Sequence, residues 1–231
     1  MRVMVTGSNR GIGLEYVRQL LARGDRVFAM CRKPDDASEL QVLKGTYGDQ
    51  LSIFPLDVAD ENSIASAYEA VSAETDALDV LINNAAINPG DESFGDLKKE
   101  NFMKTFEVNV VGVMLVTQYF ADLLKQGDRP RLINLSSGVA SLAEGAPAGL
   151  YSYNVSKTAL NMLNRTMTHE LKPMGIISIV IDPGWVITDM GGPGAQLQPE
   201  ESVRNQLAVI DGLTMDDCGS YKHYSGREIA W

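Results

Sequence analysis

A glycine-rich turn lies between the first apolar run of this 231-residue chain and its first helical pattern; its sequence over Thr6–Gly13 is TGSNRGIG. Glycines permit positive φ and close backbone approach, and the start of a helix offers free N–H groups and a positive dipole to phosphate. A turn in this position is typical of pyrophosphate-binding loops. The alternative is a turn whose glycines serve packing alone. The residues predicted to bind a dinucleotide here are Gly7, Ser8, Asn9, Arg10, Gly11, Ile12 and Gly13.

Short β-branched runs alternate with longer helical patterns along the rest of the chain. This order is typical of right-handed βαβ units and of a parallel sheet covered on both faces. Strands are predicted at Arg2–Thr6, Arg26–Cys31, Leu51–Pro55, Val80–Asn83, Arg131–Ser136 and Ile177–Ile181. Helices are predicted at Ile12–Arg23, Ala37–Lys44, Glu61–Ala73, Asn101–Lys125 and Ser152–Leu171. We therefore predict a single α/β domain over residues 1–231, a Rossmann-type doubly wound parallel sheet of about seven strands with helices on both faces.

The composition disfavours several classes of partner and site. A formal net charge of −10 would repel nucleic acid and anionic membranes. No apolar run is long enough for a membrane span, and the start of the chain lacks a secretory pattern, so we expect a cytoplasmic protein. Cys31 and Cys218, like His169 and His223, lack metal-ligand spacing, so we expect reduced thiols and no metal site.

The end of the second predicted strand bears on which dinucleotide would bind. It lacks the acidic residue that binds a free ribose 2′-hydroxyl. Arg32 and Lys33, together with Arg10, have the charge to surround a 2′-phosphate, which a planar guanidinium binds through two hydrogen bonds. The sequence therefore predicts NADP(H) rather than NAD(H). Asp35 and Asp36 are expected to begin the next helix, and a contribution to ribose binding stays open.

Asp57 stands at the end of the third predicted strand. In this position its carboxylate is placed to accept a hydrogen bond from an adenine amino group. The alternative is a simple cap of the helix that includes Glu61.

Tyr153 and Lys157 are spaced so that their side chains share one face of a helix. A phenol with a reference pKa of about 10 is a poor base near neutrality, but an ammonium group beside it and an oxidised nicotinamide would favour its charged form. Tyr153 would then exchange a proton with a carbonyl or alcohol oxygen. Tyr151 is the competing tyrosine, but four residues later it meets Val155 and so lacks an ammonium partner.

Several motifs, in order over nearly the whole chain, resemble the short-chain dehydrogenase/reductase family. They are Thr6–Gly13, Asn83-Asn84-Ala85-Ala86, Asn109, Ser136-Ser137, Tyr153–Lys157 and Asp182-Pro183-Gly184. The resemblance implies that Ser137 hydrogen-bonds the substrate oxygen, Lys157 also holds the nicotinamide ribose, and Asn109 supports a water in a proton relay. Ser136 is the alternative serine, although strand alternation lets only one of the pair face the cleft. Without the resemblance, a capped bend in a long helix would explain Asn109.

The resemblance also implies contacts to the cofactor from Val58, Asn83 and Ala85. After the sixth strand, Pro183 and Gly184 would turn beside the nicotinamide. Val186 would offer backbone groups to the carboxamide, and Thr188 would offer a hydroxyl. Trp185 would be either a pocket residue or a core aromatic.

The run Gly184–Pro193, the segment Val209–Leu213 and the ending at Trp231 are similar to the C-factor-like branch of the family, which is related to the sniffer-type carbonyl reductases. Ala86 departs from the glycine common at the end of the Asn-Asn-Ala-Gly motif. Substrate loops are expected near residues 138–150 and 188–200.

Two functions are compatible with these features. The first is transfer of a hydride between NADP(H) and a small-molecule carbonyl or alcohol, with Tyr153 as the general acid and base. The second is a nucleotide-binding signalling or regulatory protein in which turnover is incidental. The two long predicted helices, Asn101–Lys125 and Ser152–Leu171, resemble those that pair subunits in the family, so a homodimer is also expected.

Overall fold

Seven strands form one fully parallel sheet in the computed structural model, which describes residues 1–231. The strands are β1 (Arg2–Thr6), β2 (Arg26–Cys31), β3 (Leu51–Pro55), β4 (Val80–Asn83), β5 (Arg131–Leu135), β6 (Ile177–Asp182) and β7 (Tyr221–His223). Their order in the sheet is β3-β2-β1-β4-β5-β6-β7. The chain reverses its direction of winding between β1 and β4, and in open α/β sheets ligands bind at the carboxyl ends of the strands beside such a point. The predicted fold class is confirmed.

The helices are α1 (Gly11–Ala22), α2 (Ser38–Tyr47), α3 (Glu61–Ser72), α4 (Lys99–Phe106), α5 (Gly112–Lys125), α6 (Tyr151–Leu171) and α7 (Pro199–Gly212). All predicted helices and strands are present, but the predicted helix Asn101–Lys125 consists of α4 and α5 joined by a π-helical turn at Glu107–Val111. The sequence prediction missed α7 and β7. The loop expected near residues 188–200 contains no helix or strand before Pro199, which already belongs to α7.

Two apolar layers cover the sheet, one on each face. Alternate residues of β1 supply both layers: Val3 and Val5 face the layer that contains α1 and α7, and Met4 faces the layer that contains α3 and α5. All three side chains are fully buried. Because both faces are covered, β1 and β2 carry continuous apolar runs instead of alternating with polar residues.

A chain of buried polar side chains crosses from the sheet to α6. Asn83 Nδ2 donates to Asn134 Oδ1 at 2.9 Å, and Asn134 Nδ2 donates to Asn164 Oδ1 at 2.9 Å. Ser178 Oγ also donates to Asn164 Oδ1. We call Asn83, Asn134, Asn164 and Ser178 the polar seam. Directional hydrogen bonds of this kind fix the position of α6 along the sheet more narrowly than apolar packing does.

One helical stretch, Lys99–Lys125, is long and apolar enough to cross a membrane, with a mean hydropathy of 1.2 over its most apolar part. It is the stretch interrupted by the π-helical turn, and Val116, Phe120 and Leu124 pack into the core. A core helix satisfies the same criteria of length and composition, so this is weak evidence for a span.

Candidate active site

The glycine turn has the backbone geometry that its sequence predicts. Gly7 and Gly11 have φ of +63° and +54°, values that side chains rarely tolerate. A Cβ on Gly13 would lie 2.3 Å from the Gly7 carbonyl oxygen. Asn84 Nδ2 donates to the carbonyl oxygens of Thr6 and Gly7 at 2.8 and 2.9 Å. The turn is therefore held by its own close packing and by the segment that follows β4.

The first turn of α1 leaves backbone donors available to an anion. Arg10 precedes the helix, and its side chain makes no capping hydrogen bond. Asn9 and Arg10 are exposed, and Gly11 and Ile12 are half-buried. The exposed donors and positive end of a twelve-residue helix fit a pyrophosphate group. Ser8 also anchors the turn, because its N–H and its hydroxyl both donate to the Met30 carbonyl at 3.0 Å and so tie the turn to β2.

The three basic residues near the turn differ in whether they form an ion pair. Arg10 Nη1 lies 3.0 Å from Asp189 Oδ2, on the segment that follows β6. Lys33 Nζ lies 3.7 Å from Asp36 Oδ2. Arg32 is exposed and makes no ion pair, so its guanidinium is available to a 2′-phosphate at the end of β2.

Asp57 is half-buried, and its Oδ1 accepts a hydrogen bond from the Ala59 N–H at 3.0 Å. The cap of α3 is Asp60, whose carboxylate accepts from the Asn62 N–H. The alternative of a helix cap for Asp57 is therefore wrong, because Asp60 is nearer to the first turn.

The residues that follow β3 and β4 contribute more backbone than side chain to this cleft. Asn83 is 3% exposed, and its side chain belongs to the polar seam. Ala85 N–H donates to Thr6 Oγ1 at 3.0 Å, and a Cβ on Gly7 would lie 2.9 Å from the Ala85 Cα. Val58 is buried against Gly112. Any contact of Asn83 with a cofactor would therefore use its backbone.

Tyr153 and Lys157 lie one turn apart on α6, as predicted. Lys157 Nζ is 5.7 Å from the centre of the Tyr153 ring. The same Nζ donates to the Leu135 carbonyl oxygen at 2.7 Å, at the end of β5. Lys157 is 3% exposed, whereas Tyr153 is partly accessible. The ammonium is thus fixed to the sheet, while the phenol reaches the cleft.

Burial dominates the acid–base properties of this pair. It raises the pKa of Tyr153 to about 12; the neighbouring Ser137 hydroxyl opposes the rise, and the Asp182 carboxylate adds to it. Burial also lowers the pKa of Lys157 to about 8. The expected lowering of the Tyr153 pKa by the ammonium is not found in the protein alone. Near neutrality the pair therefore consists of a protonated phenol and an ammonium group.

Ser137, and not Ser136, is directed toward Tyr153. Ser136 is buried, and its hydroxyl donates to Asn161 Oδ1 at 2.6 Å. The Ser137 carbonyl oxygen accepts a hydrogen bond from the Tyr221 hydroxyl, which holds the backbone of Ser137 from β7. Tyr221 was not predicted because it belongs to a strand of only three residues.

Asn109 lies in the π-helical turn and joins three elements. Its Oδ1 accepts from the Ile87 N–H at 2.9 Å, and its Nδ2 donates to the Ile87 carbonyl and to Ser156 Oγ at 2.9 and 3.0 Å. Both amide hydrogens are therefore used within the protein. The bend alternative was correct about the irregular helix, although the hydrogen bonds are tertiary and not local.

The segment after β6 folds back over the glycine turn. Pro183 is buried, and Gly184 has φ of +79°. Val186 is also buried, and a Cβ on Gly11 would lie 3.3 Å from the Thr188 methyl group. Trp185 is 63% exposed, so the alternative of a core aromatic is wrong.

The Asp182 carboxylate lies at the end of β6 near Tyr153, and the His223 imidazole approaches this carboxylate from β7. His223 Nε2 is 4.0 Å from Asp182 Oδ2, and a Cβ on Gly138 would lie 3.1 Å from the same oxygen. His223 also shares a 2.7 Å hydrogen bond with the Ser225 hydroxyl. This pair was not predicted, because β7 brings His223 to β6 across a long sequence separation. No group of three or more His, Cys, Asp or Glu side chains is arranged to hold a metal ion.

Comparison with known proteins gives consistent results. A profile of the family described as short chain dehydrogenase matches residues 1–197. The C-signal protein of Myxococcus xanthus is 40% identical over 162 residues, which cover 70% of this chain and 98% of that protein. The NADPH-bound carbonyl reductase from chicken fatty liver is 34% identical with a TM-score of 0.92, covering 100% of this chain and 98% of that structure. The carbonyl reductase Sniffer of D. melanogaster is 28% identical with a TM-score of 0.96, covering 100% and 99%.

Proposed function

Because the chain belongs to the short-chain dehydrogenase family, we propose that it is an NADP(H)-dependent oxidoreductase that interconverts a small-molecule carbonyl compound and its alcohol. The observation that carries the proposal is the pairing of Tyr153 with the sheet-anchored ammonium of Lys157, opposite Ser137. Similarity to two carbonyl reductases, one of them described as NADPH-bound, supports the same reaction.

NADP(H) is the cofactor whose charge matches the residues of this chain. The glycine turn and the start of α1 would hold the pyrophosphate. Arg32 would bind the 2′-phosphate, with Lys33 and Arg10 nearby. Arg10 would first have to leave Asp189, to which it is paired. Asp57 would accept a hydrogen bond from the adenine, and Val58 and Ala85 would line the same half of the cleft.

When bound, NADPH supplies a hydride to the carbonyl carbon. Tyr153 donates the proton to the carbonyl oxygen, since its raised pKa keeps the phenol protonated at neutral pH. Ser137 positions that oxygen by a hydrogen bond. Lys157 stabilises the phenolate formed when Tyr153 gives up its proton and would also hold the ribose. This order of events needs no charge on the phenol before substrate binds.

The remaining predicted residues have supporting parts in this proposal. Asn109 would support a relay water through its backbone carbonyl, because its amide hydrogens are used elsewhere. Val186 and Thr188, after the turn at Pro183 and Gly184, would hold the carboxamide. The loops near residues 138–150 and 188–200 would select the substrate. A homodimer would cover the exposed apolar side chains of α5 and α6, and sedimentation would show it.

The test is NADPH oxidation with a panel of aldehydes, ketones and quinones. We expect Tyr153→Phe to lower the turnover number by about 10²–10⁴ while NADPH affinity stays within about twofold. Tyr151→Phe is the matched control, because it removes a hydroxyl from the same helix without touching the proton donor. Equal turnover in Tyr153→Phe and wild type would refute the proposed mechanism.

The similarity to C-signal favours a second candidate, a nucleotide-binding signalling or regulatory protein with incidental turnover. The same panel separates the two candidates. NADPH binding without turnover of any member would favour the second.

A further inference from the structure

The helix that carries Tyr153 is capped by a residue from a distant segment. Leu150 precedes α6 and has no side chain able to cap it. Instead, Glu92 Oε2 accepts the Ser152 N–H at 2.7 Å and the Ser152 hydroxyl at 3.0 Å. Glu92 is 7% exposed and Ser152 is fully buried. A buried carboxylate thus satisfies a backbone donor that the helix itself leaves free.

The same residue joins this helix to the two segments beside the cleft. Glu92 lies between β4 and α4, and its N–H donates to the Gly149 carbonyl oxygen at 2.8 Å, just before α6. Thr105 of α4 adds a contact of 3.5 Å to the Ser152 hydroxyl. Glu92 therefore fixes the start of α6 through its side chain and the preceding segment through its backbone.

Only one oxygen of the Glu92 carboxylate has hydrogen-bond partners. Its Oε1 is buried and has no hydrogen-bond partner, and Glu92 forms no ion pair. An unpartnered polar atom in the interior costs free energy, which the positive end of the α6 dipole offsets in part. The carboxylate binds Ser152, which directly precedes Tyr153 in the sequence. A role in fixing Tyr153 would explain why a buried carboxylate is kept at this position despite its cost.

We propose that Glu92 is a positioning residue for Tyr153. Tyr153 is the third residue of α6, so its backbone is fixed only while the first turn is closed. Lys157 lies one turn further and is anchored separately to β5. Loss of the cap would therefore move the phenol relative to the ammonium and to Ser137. The catalytic consequence rests on the proposed function, whereas the cap itself does not.

Hydrogen exchange measured by mass spectrometry tests the cap without any turnover. In Glu92→Ala we expect exchange in peptides that cover residues 150–155 to become at least about tenfold faster, because a cap of this kind is lost. Glu92→Gln keeps an acceptor oxygen and should exchange nearly as slowly as wild type. Asp91→Ala is the matched control, since Asp91 is exposed. Unchanged exchange in Glu92→Ala would overturn the proposal even if the protein proves to have no reductase activity.

Single-turnover kinetics test the catalytic consequence. The enzyme with NADPH already bound is mixed with the fastest substrate of the panel, and the NADPH absorbance is followed. We expect Glu92→Ala to lower the rate constant about tenfold at full amplitude and Glu92→Gln to restore most of it. A purely structural role would lower the amplitude and leave the rate constant unchanged, and that result would overturn the proposal. Failure of wild type to oxidise NADPH would instead refute the proposed function.

Discussion

The buried ammonium group of Lys157 should lower the free energy of unfolding near pH 7, where the proposed reaction needs its charge. Its ammonium is buried, and burial lowers the pKa of Lys157 from 10.5 to about 8. Below that pH the folded state holds a charge in an apolar environment, with the Leu135 carbonyl as its hydrogen-bond acceptor. Methionine has a similar length and no charge, so replacing Lys157 by methionine removes the free-energy cost of burying the ammonium group. We therefore expect Lys157→Met to be inactive and, at pH 7, more stable than wild type.

The magnitude follows from proton linkage. Between pH 8 and 10.5 the unfolded chain keeps its proton on Lys157 while the folded state has lost it, so the unfolded state binds more protons and stability rises with pH. From pH 7 to pH 10 this contribution is about 2 to 3 kcal/mol. Lys157→Met has no such pH-dependent contribution, so the amount by which its free energy of unfolding exceeds that of wild type should decrease by about 2 to 3 kcal/mol between pH 7 and pH 10. The lost hydrogen bond to Leu135 subtracts about 1–3 kcal/mol at every pH.

Urea unfolding of wild type and Lys157→Met at several pH values between 7 and 10 provides the measurement. Taking the difference between the two proteins removes the effect of Cys31 and the buried tyrosines, whose pKa values are also raised. Activity should follow the opposite course, since kcat/KM for carbonyl reduction should fall above pH 8 as the ammonium is lost. A stability difference that does not change with pH would refute the reasoning.

Three further changes test other parts of the structure. Arg32→Asp should raise the Kd of NADPH at least about tenfold and change that of NADH little, as measured by cofactor fluorescence; an unchanged preference would contradict the proposed 2′-phosphate contact. Gly13→Ala should abolish dinucleotide binding, because its methyl group would lie 2.3 Å from the Gly7 carbonyl oxygen, whereas Gly45→Ala, with no atom within 4 Å, should bind normally. Asn134→Ala should lower the free energy of unfolding by about 1–3 kcal/mol, since it removes one buried hydrogen-bond partner from each of Asn83 and Asn164; urea unfolding at neutral pH checks this, and an unchanged midpoint would show that the seam contributes little.

The sequence was most informative where function or burial imposes a local pattern. Continuous apolar runs identify β1, β2 and β4 because both faces of the sheet are covered. The glycine turn is recognisable because its positive φ angles require glycine residues. Tyr153 and Lys157 are recognisable because their spacing places them on one face of a helix. α7 was also detectable: Val203, Leu207 and Ile210 recur at helical spacing after a proline, a favoured first residue of a helix.

Features produced by tertiary contacts left no such pattern. The helix cap from Glu92 depends on a contact 60 residues away in the sequence. The Asp182–His223 pair and the Tyr221 hydrogen bond depend on how a three-residue strand joins the sheet edge. The pKa of Tyr153 follows from burial, which the identity of the residue four positions later does not reveal.

The segment that would cover the substrate is closed at its base. Val186 and Leu197 form a parallel bridge, with the Ile187 N–H donating to the Leu197 carbonyl at 2.9 Å and the Leu197 N–H to the Trp185 carbonyl at 3.3 Å. The Ser202 hydroxyl of α7 donates a hydrogen bond of 2.6 Å to the Pro183 carbonyl oxygen. Insertions or deletions between the two ends of this bridge would change the shape of the cleft at small entropic cost while leaving the sheet intact. If this segment selects the substrate as proposed, a change in the length of this one loop would be enough to change the substrate range, without any change in the sheet beneath it.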